Sequence, residues 1–497
     1  MADSRSRRLI PRRRASEWRG FIMFRMTRFP AALAGLLLLT LAAPLSAQPP
    51  PDPGDPFGED PFGDRFGAPD ADVDALVRTA FFSRNSAQRT RALRFLIERD
   101  QKDVIPAFIA VLRLLPDEDG RLLDALQRLA RANIPRDWKA WTEWQEEHTE
   151  VRPYRGFVSF KADILAGIDP NFRDFVHRGV RHRIRIEEIV WGGVTKDGIP
   201  ALVNAEQIPA ADATYLTDRE LVFGVSINGD SRAYPLRILD WHEMFNDVVG
   251  GVPVSLAYCT LCGSGILFDT RVPGRRKPFV FGSSGLLYRS NKLMYDTETE
   301  SLWNQFTGEP VVGELTESDI VLKVLPVVIT SWNDWLTAHP GTTVLSLDTG
   351  FDRDYRPGRP YGQYFASPEL MFPVVVRDRR LDPKDRIFVL RDGEAEMAWA
   401  LSLFEGGATL HDRVGERDVV LVGDAEFETV RAYDSGGRTF NVVAGDPAHV
   451  ESGGALWSVS EDALTGPDGA TLPRLPGHMA YWFAYQSYHP GKAVRTQ

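Results

Sequence analysis

The chain predicts an α+β fold: a small N-terminal helical domain followed by two tandem β-rich modules related by internal duplication. Three observations carry that expectation. Apolar residues recur at three- and four-residue spacing between Val73 and Trp144. After about Arg152 the pattern changes to short apolar runs bounded by tight-turn residues. A shift of 165 then lays residues 233–269 on residues 398–434 without a gap.

In chain order, the first stretch is basic (Arg5, Arg7, Arg8, Arg12, Arg13, Arg14), with further possible starts at Met23 and Met26. Residues 31–43 are continuously apolar and lead to Pro44-Leu-Ser-Ala47-Gln48. Charge, apolar core and small-residue exit follow in the order of a secretory signal peptide cleaved near Ala47. The core is shorter than the roughly 20 apolar residues that span a bilayer. No cysteine follows it to carry a lipid, and no later segment is long and apolar enough for a membrane helix. The expected organisation is a signal peptide at 1–47, a linker at 48–72, a helical domain at 73–151, a first β-rich module at 152–350 and a second at 351–497. The mature protein is expected to be exported, most simply to a periplasm, without an integral membrane segment.

The linker is rich in Pro, Asp and Gly, with Asp55-Pro-Phe-Gly echoed by Asp60-Pro-Phe-Gly, and buries too little surface to order itself. In the helical domain Leu76, Ala80, Leu93, Leu96, Ile105, Phe108, Ile109, Leu112, Leu122, Leu126 and Leu129 form the apolar stripes. Pro106 suits an early helical turn, and residues 116–120 form a break. This domain carries no catalytic constellation and is suited to holding an unidentified protein partner. Further on, Asn228-Gly229 between apolar runs signals a hairpin, and 252–258 and 266–272 read as strands.

Of the 37 positions aligned by the shift, eight are identical, among them Ala233/Ala398, Asp247/Asp412, Gly250/Gly415 and Asp269/Asp434. Average residue usage predicts about two. Leu302-Trp303, Pro326, Trp332 and His339-Pro-Gly recur as Leu456-Trp457, Pro476, Trp482 and His489-Pro-Gly. What the copies share is apolar spacing and turn chemistry. What only the first has is a candidate for function: Cys259 and Cys262 fall opposite Asp424 and Phe427, His242 opposite Gly407, Glu243 opposite Ala408 and Asn246 opposite His411. The second copy then reads as degenerate and structural.

The chain has two cysteines, Cys259 and Cys262, in Cys-Thr-Leu-Cys-Gly. Thiols at this spacing can share a metal ion, cycle as a redox pair or close a small structural disulfide. The expected site is a transition-metal centre of Cys259, Cys262 and His242, holding copper or zinc, with the other two uses as alternatives. The alternatives are a non-enzymatic scaffold bridged at Cys259–Cys262 and a thiol–disulfide redox protein. The stretch 240–247 is expected to open a helix, with Asp240 and Glu243 at capping-box spacing and His242 and Asn246 on one face. Loops holding Ser283, Asn291, Asp296, Trp303 and Gln305 are expected to line a polar pocket beside Glu243, Asn246, Asp247 and Tyr258. Ser283 and Ser284 lack the strand–elbow–helix setting of a hydrolase nucleophile. A net charge of −10 argues against nucleic acid or an anionic membrane as partner, and no nucleotide cofactor is expected.

Five motifs together resemble a bacterial and archaeal family known as domain of unknown function 3179. They are Trp191-Gly-Gly-Val with Asp197-Gly-Ile-Pro200, Arg232-Ala-Tyr-Pro-Leu, His242-Glu-Met-Phe-Asn-Asp247, Tyr258-Cys-Thr-Leu-Cys-Gly, and Met294-Tyr-Asp through Ser301-Leu-Trp-Asn-Gln-Phe-Thr-Gly308. They span about 184–341, with Met244-Phe245 where the family commonly has Ile-Val. The resemblance implies export and treats His242, Glu243, Asn246, Cys259 and Cys262 as one unit. It implies no reaction.

Overall fold

A computed structural model describes residues 71–114 and 120–497. The leader expected at 1–47 lies outside the described residues, as does the linker except for 71 and 72, which begin the first helix. Six helices open the described chain: Ala71–Phe82, Ser86–Glu98, Ile105–Leu112, Arg121–Ala130, Trp138–Glu147 and Phe157–Ala166. The Asn85 side chain caps the second by accepting from the backbone N–H groups of Ala87 and Gln88, and Asp137 caps the fifth through Ala140. Pro106 stands in the first turn of the third, where its missing N–H costs no intrahelical bond.

The sixth helix lies beyond the expected end of the helical part at 151. Phe157, Phe160, Ile164 and Leu165 bury at helical spacing, but so short an apolar run does not separate helix from strand by periodicity alone. Nor does packing divide the chain at 151. Leu96, Phe108, Leu126, Trp141 and Phe160 share one core with Ile189, Leu286, Leu293, Leu302 and Val312 of the first sheet. That antiparallel sheet runs Ile189–Trp191, Phe281–Tyr288, Asn291–Asp296, Leu302–Asn304, Glu309–Val312. Much of it is the stretch expected to be polar loops. Its buried strands alternate Gly and Ser with Phe and Leu, so the small residues read as turns.

The β-rich remainder repeats one pattern of strands. Leu221–Ile227 and Asp230–Pro235 form a hairpin whose turn residues, Asn228 and Gly229, both have positive φ (51° and 82°). Val328–Ser331 flanks it antiparallel and Thr343–Leu345 parallel. Arg386–Asp392 and Ala395–Ala400 form a second hairpin, flanked antiparallel by Gly477–Tyr481 and parallel by Val494–Arg495. The registers correspond: Gly224 faces Ala233 and Val389 faces Ala398, while Val344 and Val494 face those two alanines from the parallel side.

Each hairpin is followed by a meander. Met244–Val249, Val252–Cys259, Ser264–Asp269 and Lys323–Leu325 are neighbours in order. So are Ala408–Val414, Arg417–Asp424, Thr429–Asp434 and Thr471–Leu475. Asp247 faces Val254, which faces Asp269, as Asp412 faces Val419, which faces Asp434. The Trp332 N–H donates to the Glu220 carbonyl and the Trp482 N–H to that of Asp385. The later meander continues into a sheet of eight strands, ending at Asn441–Val443.

Candidate functional site

The two cysteines sit in the corner between Val252–Cys259 and Ser264–Asp269, closed by a short 3-10 turn, Thr260–Cys262. Gly263 completes the corner at φ 57°, and a Cβ there would stand 2.1 Å from the Arg386 guanidinium. Only glycine fits. Both cysteines are free thiols, 2 % and 0 % exposed, with their Sγ atoms 2.9 Å apart.

Cys262 is tied into a buried amide relay. Asn291 donates through Nδ2 to Cys262 Sγ (3.2 Å) and to Gln305 Oε1 (2.8 Å). Gln305 in turn donates to the carbonyls of Ala257 (2.7 Å) and Ser264 (2.9 Å), on both strands of the cysteine hairpin. Burial, then the neighbouring thiol, pushes the Cys262 thiol well above its ordinary value, while the Asn291 donor acts the other way.

Ionisable groups surround the pair. Lys292 Nζ meets Glu243 Oε2 at 2.9 Å, with the two residues 3 % and 7 % exposed. Glu243 also accepts from Thr260 Oγ1, inside the cysteine turn (3.4 Å). Asp240 is buried and its Oδ1 has no hydrogen-bond partner. Burial first, then the charge of Glu243, raises its carboxyl to about 8. A buried carboxyl raised in this way next to Glu243 is the kind of perturbation that clusters at functional sites.

The helix expected to start at Asp240 instead ends there. Leu236–His242 is helical, Glu243 takes a left-handed conformation (φ 55°), and Met244–Val249 is a strand. The Gly250-Gly251 turn and pairing with Val252–Cys259 outweigh the capping-box spacing. His242 and Asn246 therefore do not share a helical face. His242 points away from the thiols: Nδ1 lies 2.8 Å from the Pro200 carbonyl and Nε2 2.6 Å from the Tyr355 hydroxyl. Burial holds its ring down to about 4. Both ring nitrogens are engaged by oxygen, and no three or more His, Cys, Asp or Glu among the described residues are grouped to hold a metal ion.

Asn246 joins two sheets, donating to the Phe281 carbonyl (2.9 Å) and accepting from the Phe281 N–H (2.8 Å). Replacing it with alanine strands both backbone groups, so Asn246→Ala is expected to lower unfolding stability by about 1–3 kcal/mol in denaturant titrations. Asp247 binds Arg232 (2.9 Å) and the Tyr234 hydroxyl (2.7 Å), and Asp412 binds Trp399 Nε1 at the corresponding place. It belongs to the framework. So do Asp296 and Trp303, which bond one another at 2.9 Å. Ser283 is buried in a strand opposite Met294, and the Tyr258 ring packs edge-on to Phe223. Of the expected site residues, the structure brings together Cys259, Cys262, Glu243, Asn291 and Gln305.

Lys292, Tyr361, Tyr364, Arg386 and Tyr481 escaped the sequence reading. The Tyr364 hydroxyl donates to the Leu261 carbonyl between the cysteines (2.7 Å). Tyr361 lies within the field of Glu243, Asp240 and Cys259, and burial raises its phenol. Arg386 donates to the Gly263 carbonyl (2.8 Å) and stacks over Tyr481. One signal was available: residues 355–364 hold three of the chain's 13 tyrosines, and two of them, Tyr361 and Tyr364, lie near the cysteine turn.

A family model described as "Protein of unknown function (DUF3179)" matches residues 196–492. It reaches through the later meander and starts just after the Trp191 motif. No curated protein and no solved structure matches the chain.

Proposed function

Since the chain belongs to the DUF3179 family, whose description assigns no reaction, we propose from the site's own chemistry that Cys259 and Cys262 form a dithiol–disulfide redox centre. The observation that carries it is the pair of free thiols in contact at 2.9 Å inside a shell of buried ionisable groups. A bridge that only staples a turn has no use for an unpartnered buried carboxyl, which is unfavourable unless it does chemistry. The co-reactant is a disulfide on a partner. One cysteine thiolate attacks it and forms a mixed disulfide, and one partner sulfur leaves. The other cysteine then attacks the mixed disulfide and releases the second partner sulfur. The cysteines are oxidised, the partner disulfide is reduced, and the two cysteine protons end on the partner's thiols. The segment bearing Tyr361 and Tyr364 must withdraw for the sulfurs to meet a partner.

Export, inferred from the leader, places this couple where disulfides persist. We read the two β-rich modules as an internal duplication, supported by their matching strand order, registers and paired tryptophan contacts. In that reading only the first module has the dithiol.

Single-cysteine variants test the exchange. Against an excess of a small-molecule disulfide, Cys259→Ser or Cys262→Ser is expected to stop at a stable mixed disulfide, visible by intact mass. The native protein is expected to pass through to the internal disulfide. If neither variant traps an adduct while the folded protein is held reduced, the redox assignment fails.

A further inference from the structure

The helical part and the first sheet border a partly open recess with about 30 Å³ of room, lined among others by Arg113, Trp138, Gln145, Lys161 and Trp191. That is room for one or two water-sized groups. Lys161 is 4 % exposed, and the hydrogen bond its Nζ makes is a long one, 3.3 Å to the Glu187 carbonyl. Arg113 donates to the Trp191 carbonyl and lies over the rings of Trp138 (4.6 Å), Trp191 (5.3 Å) and Phe372 (5.1 Å). Neither cation has a carboxylate within ion-pair distance among the described residues. The nearby Glu187 carboxylate is taken by Arg185 at 2.8 Å. On the same wall Gln145 donates to the Glu187 carbonyl (3.0 Å), and its Oε1 is buried without a partner.

One buried cation, a second that is half-buried, an unsatisfied acceptor and a small void suit a group that is both anion and donor. Charges held away from water are stable when paired. Chloride would neutralise a cation but offers Gln145 nothing. A carboxylate on Lys161 Nζ would offer both: oxygens for Arg113, which lines the same recess, and a remaining N–H for the acceptors on the Gln145 wall.

We propose that Lys161 is a carbamylation site, taking up carbon dioxide to give a carbamate that pairs with Arg113. The Nζ lone pair forms the new N–C bond, one C–O π pair moves onto oxygen, and the nitrogen loses a proton to water. No electrons are transferred. The attacking species is the neutral amine, and burial, opposed by Glu187, holds the Lys161 ammonium down to about 8, so that form is accessible near neutral pH. The modification would bind the helical part to the first sheet and link that contact to dissolved carbon dioxide.

The test uses the full folded chain equilibrated with ¹³C-bicarbonate at pH 8. Carbamates are trapped as esters with a trialkyloxonium salt, and the digest is read by mass spectrometry. The expected result is a ¹³C ester on the Lys161 peptide whose occupancy rises with bicarbonate. Arg113→Met is expected to lower that occupancy at least tenfold. An unmodified Lys161 peptide from native protein at saturating bicarbonate, with a carbamate readily trapped on exposed amines, overturns the proposal. Because the native protein alone decides this, a poorly folding variant leaves it open to refutation.

Discussion

Asp240→Asn is expected to remove the loss of stability that Asp240 contributes as pH rises from about 4 to about 8. The carboxyl is 6 % exposed, and its folded-state value is about 8 against an ordinary 3.8. Below about pH 4 it is protonated in both the folded and unfolded chain and contributes no slope. Between those values the unfolded chain releases the proton and the folded chain keeps it. The unfolded state then binds fewer protons, and stability falls as pH rises, flattening above about 8. Four pH units at about 1.4 kcal/mol each give an effect of order 5 kcal/mol. Glu146, raised to about 7 mainly by burial, adds a slope of the same sign. His242, His478 and His489, lowered to about 4, 3 and 4, act oppositely as their unfolded forms lose protons. The difference between native and variant curves in denaturant at pH 5 and pH 8 isolates Asp240. A difference that does not change with pH would show that the carboxyl is ionised in the folded protein.

Lys292→Met is expected to be comparably severe. The variant leaves the Glu243 carboxylate buried with only the long Thr260 contact, and removing one partner of a buried pair typically costs about 3–5 kcal/mol. Glu243→Gln alone leaves the ammonium stranded in the same way. The double variant Lys292→Met/Glu243→Gln removes both charges and is expected to lose clearly less than the sum of the two. Denaturant midpoints at fixed slope measure all three. If the losses add, Glu243 and Lys292 act separately and the shell is not one unit. Replacing Gly263 by alanine is expected to perturb the same corner from the other side. It places a methyl group against Arg386 at a left-handed position that alone costs about 1–2 kcal/mol.

Much of the fold was legible because its signals are local. Asn228-Gly229 dictates its turn whatever surrounds it, and the apolar stripe from Leu76 to Leu129 needs only the helical repeat. The stretch around His242 was misread for the opposite reason. Capping spacing at Asp240 and Glu243 is a weak local preference, and pairing of 244–249 with 252–259 overrides it. The site was half legible. Cys259 and Cys262 stood out by rarity, and Asn291 and Gln305 by the density of hydrogen-bonding groups in what read as polar loops. Lys292 reads as an ordinary surface lysine until its strand is known to be buried along its whole length. Tyr361, Arg386 and Tyr481 reach the thiols from more than 90 residues away, a closeness that no spacing rule encodes. His242 was joined to the cysteines by proximity in sequence, yet its ring is turned to Pro200 and Tyr355.

The most direct test of the dithiol centre is a redox titration of protein purified without chelators, with free thiols counted by alkylation and bound metals measured on the same sample. A single two-electron transition between about −270 and −120 mV, the span of reversible protein couples, with no stoichiometric metal, is the expected result. A bridge that stays closed below about −300 mV would make Cys259–Cys262 a structural disulfide. One equivalent of copper or zinc, lost in Cys259→Ser/Cys262→Ser, would replace the redox couple with a metal centre.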